Sequence, residues 1–242
     1  MKLRSCLILL FVGLLPCAAY ADETVTDEIG DYLQGQSIQL GVSYAQGTFK
    51  MFNSSGSKST LTDNGRAALI LDFTGSEHVI GKIPLKYGSA VLGFNFGGTY
   101  GHVSVDKQLT PSTSAIIGQD VGSSINGNYL AAAPFIYLRL GPVYPGTDSY
   151  WLAGYGVGGA LFNFHGNPVF YNVTPTTGTF TPAFEPVNSG TKLFLYQTWR
   201  WQFHYGHWDV LFTAKQLSNQ KVMGNPTSYE DYALGVDYSF QF

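Results

Sequence analysis

The stretch VLFTAKQLSNQKVMGNPTSYEDYALGVDYSFQF, from Val210 to Phe242, carries the side chains whose types and spacing could support a reaction. Successive strand residues point to opposite faces. Val210, Phe212 and Ala214 therefore share one apolar side, as do Tyr232, Leu234, Val236, Tyr238, Phe240 and Phe242. Gln216, Ser218 and Glu230 fall on those same apolar parities, with Asn219 beside the serine. A serine hydroxyl attacks an ester only when an adjacent base takes its proton. Gln216 cannot take it at neutral pH, and none of the five histidines lies close in sequence. The alternative is positional: a tilted strand leaves an apolar band of ~25 Å after about ten residues, and polar groups at that edge meet headgroups and water. If Gln216 stands opposite Glu230, then 214 meets 232, 212 meets 234 and 208 meets 238, so apolar faces apolar down to Trp208 and Tyr238.

A second set takes the opposite parity. Asp72, Arg200, Lys215 and Asp237 carry both signs and read as a paired network inside a lumen. Inward glycines at 41, 93, 97, 154, 156, 158 and 235 leave volume for a small cavity. His78, His102, His165, His204 and His207 show no metal-ligating spacing, and no G-x-S-x-G or phosphate-cradling loop occurs, so no cofactor is expected.

The elements that must position these residues are strands. Eight segments alternate with period two: Ser37–Thr48, Arg66–Ser76, Tyr87–Val103, Tyr129–Leu140, Tyr150–Phe164, Thr191–Tyr205, Trp208–Leu217 and Glu230–Phe242. The fourth is apolar on both faces; Leu130, Ala132, Pro134, Ile136, Leu138 and Leu140 are taken as outward. Long links such as NSSGSKSTLTDNG and His165 to Gly190 alternate with shorter ones such as EHVIGKIPL and Gly206-His207. That alternation suits a barrel with one rim outside the cell and both termini in the periplasm.

Composition agrees. Charged residues are 12% against a typical ~25%, aromatics are 15% and Gly is 29 of 242, yet no mature segment is a long apolar run. The chain opens MKLRSCLILLFVGLLPCAAYA, which reads as a signal peptide over 1–21. An acidic periplasmic extension, 22–34, follows, and a single barrel occupies 35–242. Both cysteines, Cys6 and Cys17, fall in the removed segment, which excludes thiol catalysis and disulfides from the mature chain. No basic run points to nucleic acid. In hydrocarbon every backbone donor and acceptor must pair internally, so the sheet must close on itself. The fold expected is all-β: an eight-stranded antiparallel transmembrane β-barrel with long extracellular loops, in the outer membrane of a Gram-negative cell.

Two resemblances add to this. The ending YALGVDYSFQF, with Tyr238, Phe240 and Phe242 alternating to the last residue, resembles the C-terminal signal of bacterial outer-membrane proteins, which implies recognition by the barrel-assembly machinery. KQLSNQKVMGNPTSYEDY resembles the active-site segment of the PagL-type lipid A 3-O-deacylases, eight-stranded outer-membrane barrels. That resemblance implies Ser218 as nucleophile, Asn219 in an oxyanion hole and Glu230, twelve past the serine, as the acidic member, with Gln216 where the family has histidine. Three functions stay open: a non-enzymatic barrel with a surface-interaction or envelope role, a lipid A-modifying hydrolase, and a carrier of small apolar molecules. The partners expected are outer-membrane lipid or lipopolysaccharide, and the barrel is expected to be a monomer.

Overall fold

A computed structural model describes residues 36–63, 65–108, 123–173, 180–222 and 225–241. The segments expected to be a signal peptide and an acidic extension, and Phe242, lie outside the described residues. The strands are β1 (Ser37–Phe52), β2 (Lys58–Thr62), β3 (Arg66–Thr74), β4 (His78–Leu85), β5 (Gly88–Val105), β6 (Lys107–Gln108) and β7 (Ile125–Gly141). They continue as β8 (Ser149–Gly166), β9 (Val169–Val173), β10 (Phe180–Phe184), β11 (Val187–Tyr205), β12 (Trp208–Val222) and β13 (Asn225–Gln241).

Eight of them close a ring: β1, β3, β5, β7, β8, β11, β12 and β13 pair in that order, and β13 returns to β1 from Ser37↔Gln241 to Met51↔Thr227. All these pairings are antiparallel. The exterior is apolar and exposed, with Leu69 82% exposed and Trp151, Tyr205, Trp208 and Phe240 bare on the outer face near the turn end. A closed all-β ring with an oily exterior is the form in which a sheet crosses a bilayer. The chain is therefore an outer-membrane β-barrel, and the phase chosen for the ambiguous fourth segment holds, with Leu130, Ile136, Leu138 and Leu140 exposed.

The ring is strongly staggered. From Ile38 the paired residues run Phe73, Gly98, Ala132, Gly159, Leu195, Ser218, Ser228 and back to β1 at Lys50, 12 residues further along. Stagger and strand tilt rise together at fixed strand number and widen the bore.

Three segments differ from the sequence expectation. EHVIGKIPL, read as a link, is mostly strand: β4 continues β3 past a break at 75–77 and pairs with β5 from His78↔Phe94 to Leu85↔Gly88. Every residue of β4 is exposed, so it has no buried face to imprint a pattern on the sequence. NSSGSKSTLTDNG contains β2, which folds back on the end of β1 from Phe52↔Lys58 to Thr48↔Thr62. The link from His165 to Gly190 contains the β9–β10 hairpin, and its Val169, Phe170 and Val187 are buried.

The lumen differs as well. A polar interior is found in the turn-end half, but the loop-end half is packed with apolar side chains. Phe49, Val103, Val105, Ile125, Phe162, Phe164, Leu217 and Tyr229 are wholly buried there with Leu61 of β2. The rings interlock: Phe162 meets Phe194, Tyr129 and Phe49 edge to face at 5.2, 6.1 and 6.3 Å, and tilts against Phe164 at 5.1 Å and Tyr229 at 6.4 Å. Closely packed rings of this kind exclude water and hold a soluble-type core inside the barrel.

Candidate functional site

The register anticipated for the last two strands is present: Gln216↔Glu230, Ala214↔Tyr232, Phe212↔Leu234 and Trp208↔Tyr238. Gln216, Ser218 and Glu230 thus sit together on the outer wall toward the loop end. The pairing extends them into a polar strip. One row runs Gln197, Gln216, Glu230, Thr48 and Thr62 across β11, β12, β13, β1 and β2. The next runs Ser218, Ser228, Lys50 and Thr60. One row nearer the turn end the wall is Trp199, Ala214 and Tyr232. On β12, β13 and β1 the strip marks where the oily belt stops, while on β11 exposed Leu195 and Leu193 carry it further toward the loop end.

Within it Lys50 Nζ donates to both oxygens of Glu230, at 3.1 and 3.2 Å, and both side chains are about one-third exposed. Tyr155 OH donates to Gln197 Oε1 at 3.2 Å, and the Thr48 and Thr62 hydroxyls lie 3.5 Å apart. Asn219 Nδ2 donates to the Leu193 carbonyl of the neighbouring strand. The one histidine among the described residues of β11, β12, β13 and β1 is His204, buried in the bore. The strip offers hydroxyls, amides and one ion pair to whatever lies against the wall, with no imidazole beside Ser218. Lys50 and its link to Glu230 could not be read from the sequence, because the stagger of the ring decides which strand-one residue meets position 230.

Inside the bore the charged residues fall in two neighbouring groups, one of Asp72, Arg200 and Lys215 and one of Asp209 and Asp237. Arg200 donates through Nη2 to Asp72 and through Nη1 to Gln39 Oε1 at 3.1 Å. Lys215 Nζ reaches Thr99 Oγ1 at 3.4 Å. Asp237 lies opposite Asp209 across β12 and β13, and both are buried. Asp209 Oδ1 is held by Gln202 Nε2 and His204 Nδ1, each at 2.7 Å, and His204 stacks on Tyr150 at 4.4 Å. Gln39, Thr99, Gln202 and Asp209 join these groups, and the sequence alone does not mark them as partners. Asp209 alternates with outward Trp208 and Val210, which was the signal available.

Beside these groups a cavity of about 650 Å³ opens, walled by residues that include Gln39, Asn95, Phe135, Thr198, Arg200 and Gln202. Toward the loop end the bore is filled by the aromatic core.

Neither the family models nor the curated proteins match this chain. Among solved structures it is similar to Ail, the attachment invasion locus protein of Yersinia pestis, at 13% identity and a TM-score of 0.36, covering 86% of this chain and 99% of that one. It is also similar to the outer membrane enzyme PagL, at 13% identity and a TM-score of 0.40, covering 84% and 98%. Neisserial surface protein A is a third, at 12% identity and a TM-score of 0.38, covering 86% and 98%. At these identities and TM-scores the likeness adds nothing to the fold, which rests on the closed ring itself.

Proposed function

We propose that this chain is a non-conducting outer-membrane barrel that acts at the cell surface through its loop end, with the outer polar strip seated among lipid headgroups. The observation that carries the reading is the aromatic core. A pore or a carrier needs a continuous path, and Phe49, Phe162, Phe164, Phe194 and Tyr229 occupy the loop-end half of the bore with almost no exposed surface. The end bearing the short turns is taken as periplasmic, so the blocked half lies outward. The strip then falls at headgroup depth, where polar side chains on the outer wall cost little.

The test is planar-bilayer conductance of the folded protein, together with binding of intact cells to host-surface material. We expect no unitary current from the wild type. Removal of 174–179, which join β9 to β10 in the chain, should weaken surface binding while the barrel still assembles; a wider deletion would strip Val187, which is buried in the core. Steady ohmic current from the wild type would overturn the proposal.

A second reading, a lipid A-modifying hydrolase, draws on the gathering of Gln216, Ser218 and Glu230 on the lipid-facing wall. Against it, Glu230 is engaged by Lys50 on both oxygens and position 216 offers no base.

A further inference from the structure

We infer that the cavity at the turn end is a binding site for a short, uncharged oligosaccharide bearing hydroxyl or acetamido groups. Its volume, about 650 Å³, lies inside the ~300–1,000 Å³ range of small-molecule sites. A wide stagger leaves that space in an eight-stranded ring, which can hold one small ligand.

The chemistry of the wall selects the class. Phe135 and Asn95 are direct neighbours across β5 and β7, and both line the cavity. Phe135 lies on bare backbone: a Cβ added at Gly154 would fall 2.5 Å from its ring, and one at Gly156 would fall 3.1 Å from it. The ring is thus packed against the wall, with the Tyr137 ring stacked beside it at 6.3 Å, and both line the cavity, an apolar platform beside an amide. The C–H face of a sugar ring covers such a platform while its equatorial groups reach the polar rim. Two further amides have fixed orientations. The carbonyl of Gln39 accepts from Arg200, which leaves its NH2 to donate, and the NH2 of Gln202 donates to Asp209, which leaves its carbonyl to accept.

Charge argues against an ionic ligand. Arg200 is paired with Asp72, Arg139 with Glu77 at 2.9 Å, and Asp148 lies 3.5 Å from His204. An acyl chain would strand these amides and ion pairs without water or partners, at a cost of kilocalories per group. A peptide strand would need an open backbone edge, and around the cavity each ring strand is already paired on both sides.

The test uses the full mature chain, folded in detergent micelles, and calorimetric titration with tri-N-acetylchitotriose, maltotriose and a blocked neutral tripeptide. Saturable binding of at least one sugar is expected. Phe135→Ala should weaken it about tenfold or more, and Asn95→Trp, which fills the space beside the platform, should abolish it. Circular dichroism and heat-modifiable gel mobility identify which variants keep the barrel; should one fail to fold, the other decides. Absence of binding by both sugars, undiminished binding by a folded Asn95→Trp barrel, or binding of the tripeptide alone would overturn the inference.

Discussion

Replacing Phe162 by alanine tests the packed bore most directly. The ring is fully buried and touches Phe49, Tyr129, Phe164, Phe194 and Tyr229. Its transfer from water contributes roughly 2–3 kcal/mol. If the neighbours do not collapse, the substitution leaves a void of roughly 100 Å³, and at ~24 cal/mol per Å³ that adds about 2.4 kcal/mol. The expected loss is therefore about 4–5 kcal/mol, at the upper end of the usual Phe→Ala range. Reversible unfolding in urea from lipid vesicles measures it, followed by tryptophan fluorescence. Conductance is read on the same protein and should stay silent, because the void is ringed by the remaining aromatics and does not reach through. A loss below about 1 kcal/mol would mean that the ring is not held in a dry core. A current from this variant would mean that a single side chain blocks the bore.

Other outcomes follow from the same geometry. Asp72→Asn deprives buried Arg200 of its charged partner and should cost about 3–5 kcal/mol, while combining it with Arg200→Gln should cost less than the two single changes together, measured by a double-mutant cycle. Gly101→Val places a Cβ 2.1 Å from the Tyr129 ring and should destabilise the barrel by about 1–3 kcal/mol in the same unfolding assay. Glu230→Gln removes an ion pair with Lys50 that is about one-third exposed and should change stability by no more than about 1 kcal/mol. Overexpression of the wild type should leave the acyl count of lipid A unchanged by mass spectrometry; loss of one chain would favour the hydrolase reading.

What the sequence discloses depends on whether a residue has two unlike surroundings. The last two strands separate lipid from lumen cleanly, so their facing and their mutual register could be read from alternation alone. Around Phe49, Val103 and Phe162 the alternation is reversed: inward positions are apolar while outward Thr48, Lys50, His102, Ser104 and Asn163 are polar, and the polar lumen expected there gives way to a core. β4 fails for the opposite reason, since neither of its faces is buried. In the bore, Asp72, Arg200, Lys215 and Asp237 could be assigned inward one at a time. Which of them meet is fixed by the 12-residue offset of the closed ring, a property of all eight strands at once. The outer site shows the same limit: Gln216 and Glu230 belong to adjacent strands and were legible as a pair, whereas Lys50 lies far away in the chain.

β4 outruns the ring, for β1 begins at Ser37 opposite Thr74, and among the described residues β4 has β5 as its only partner. Its far side is thus a bare ladder edge flanked by Val79, Ile80 and Ile83, the kind of surface on which a second chain could zip and grow into a fibre. Three features blunt it: the register slips between Val79 and Gly81, Lys82 sets a charge in the middle, and Pro84 brings no N–H to the ladder. An edge that would otherwise invite strand addition is in this way made a poor template for it.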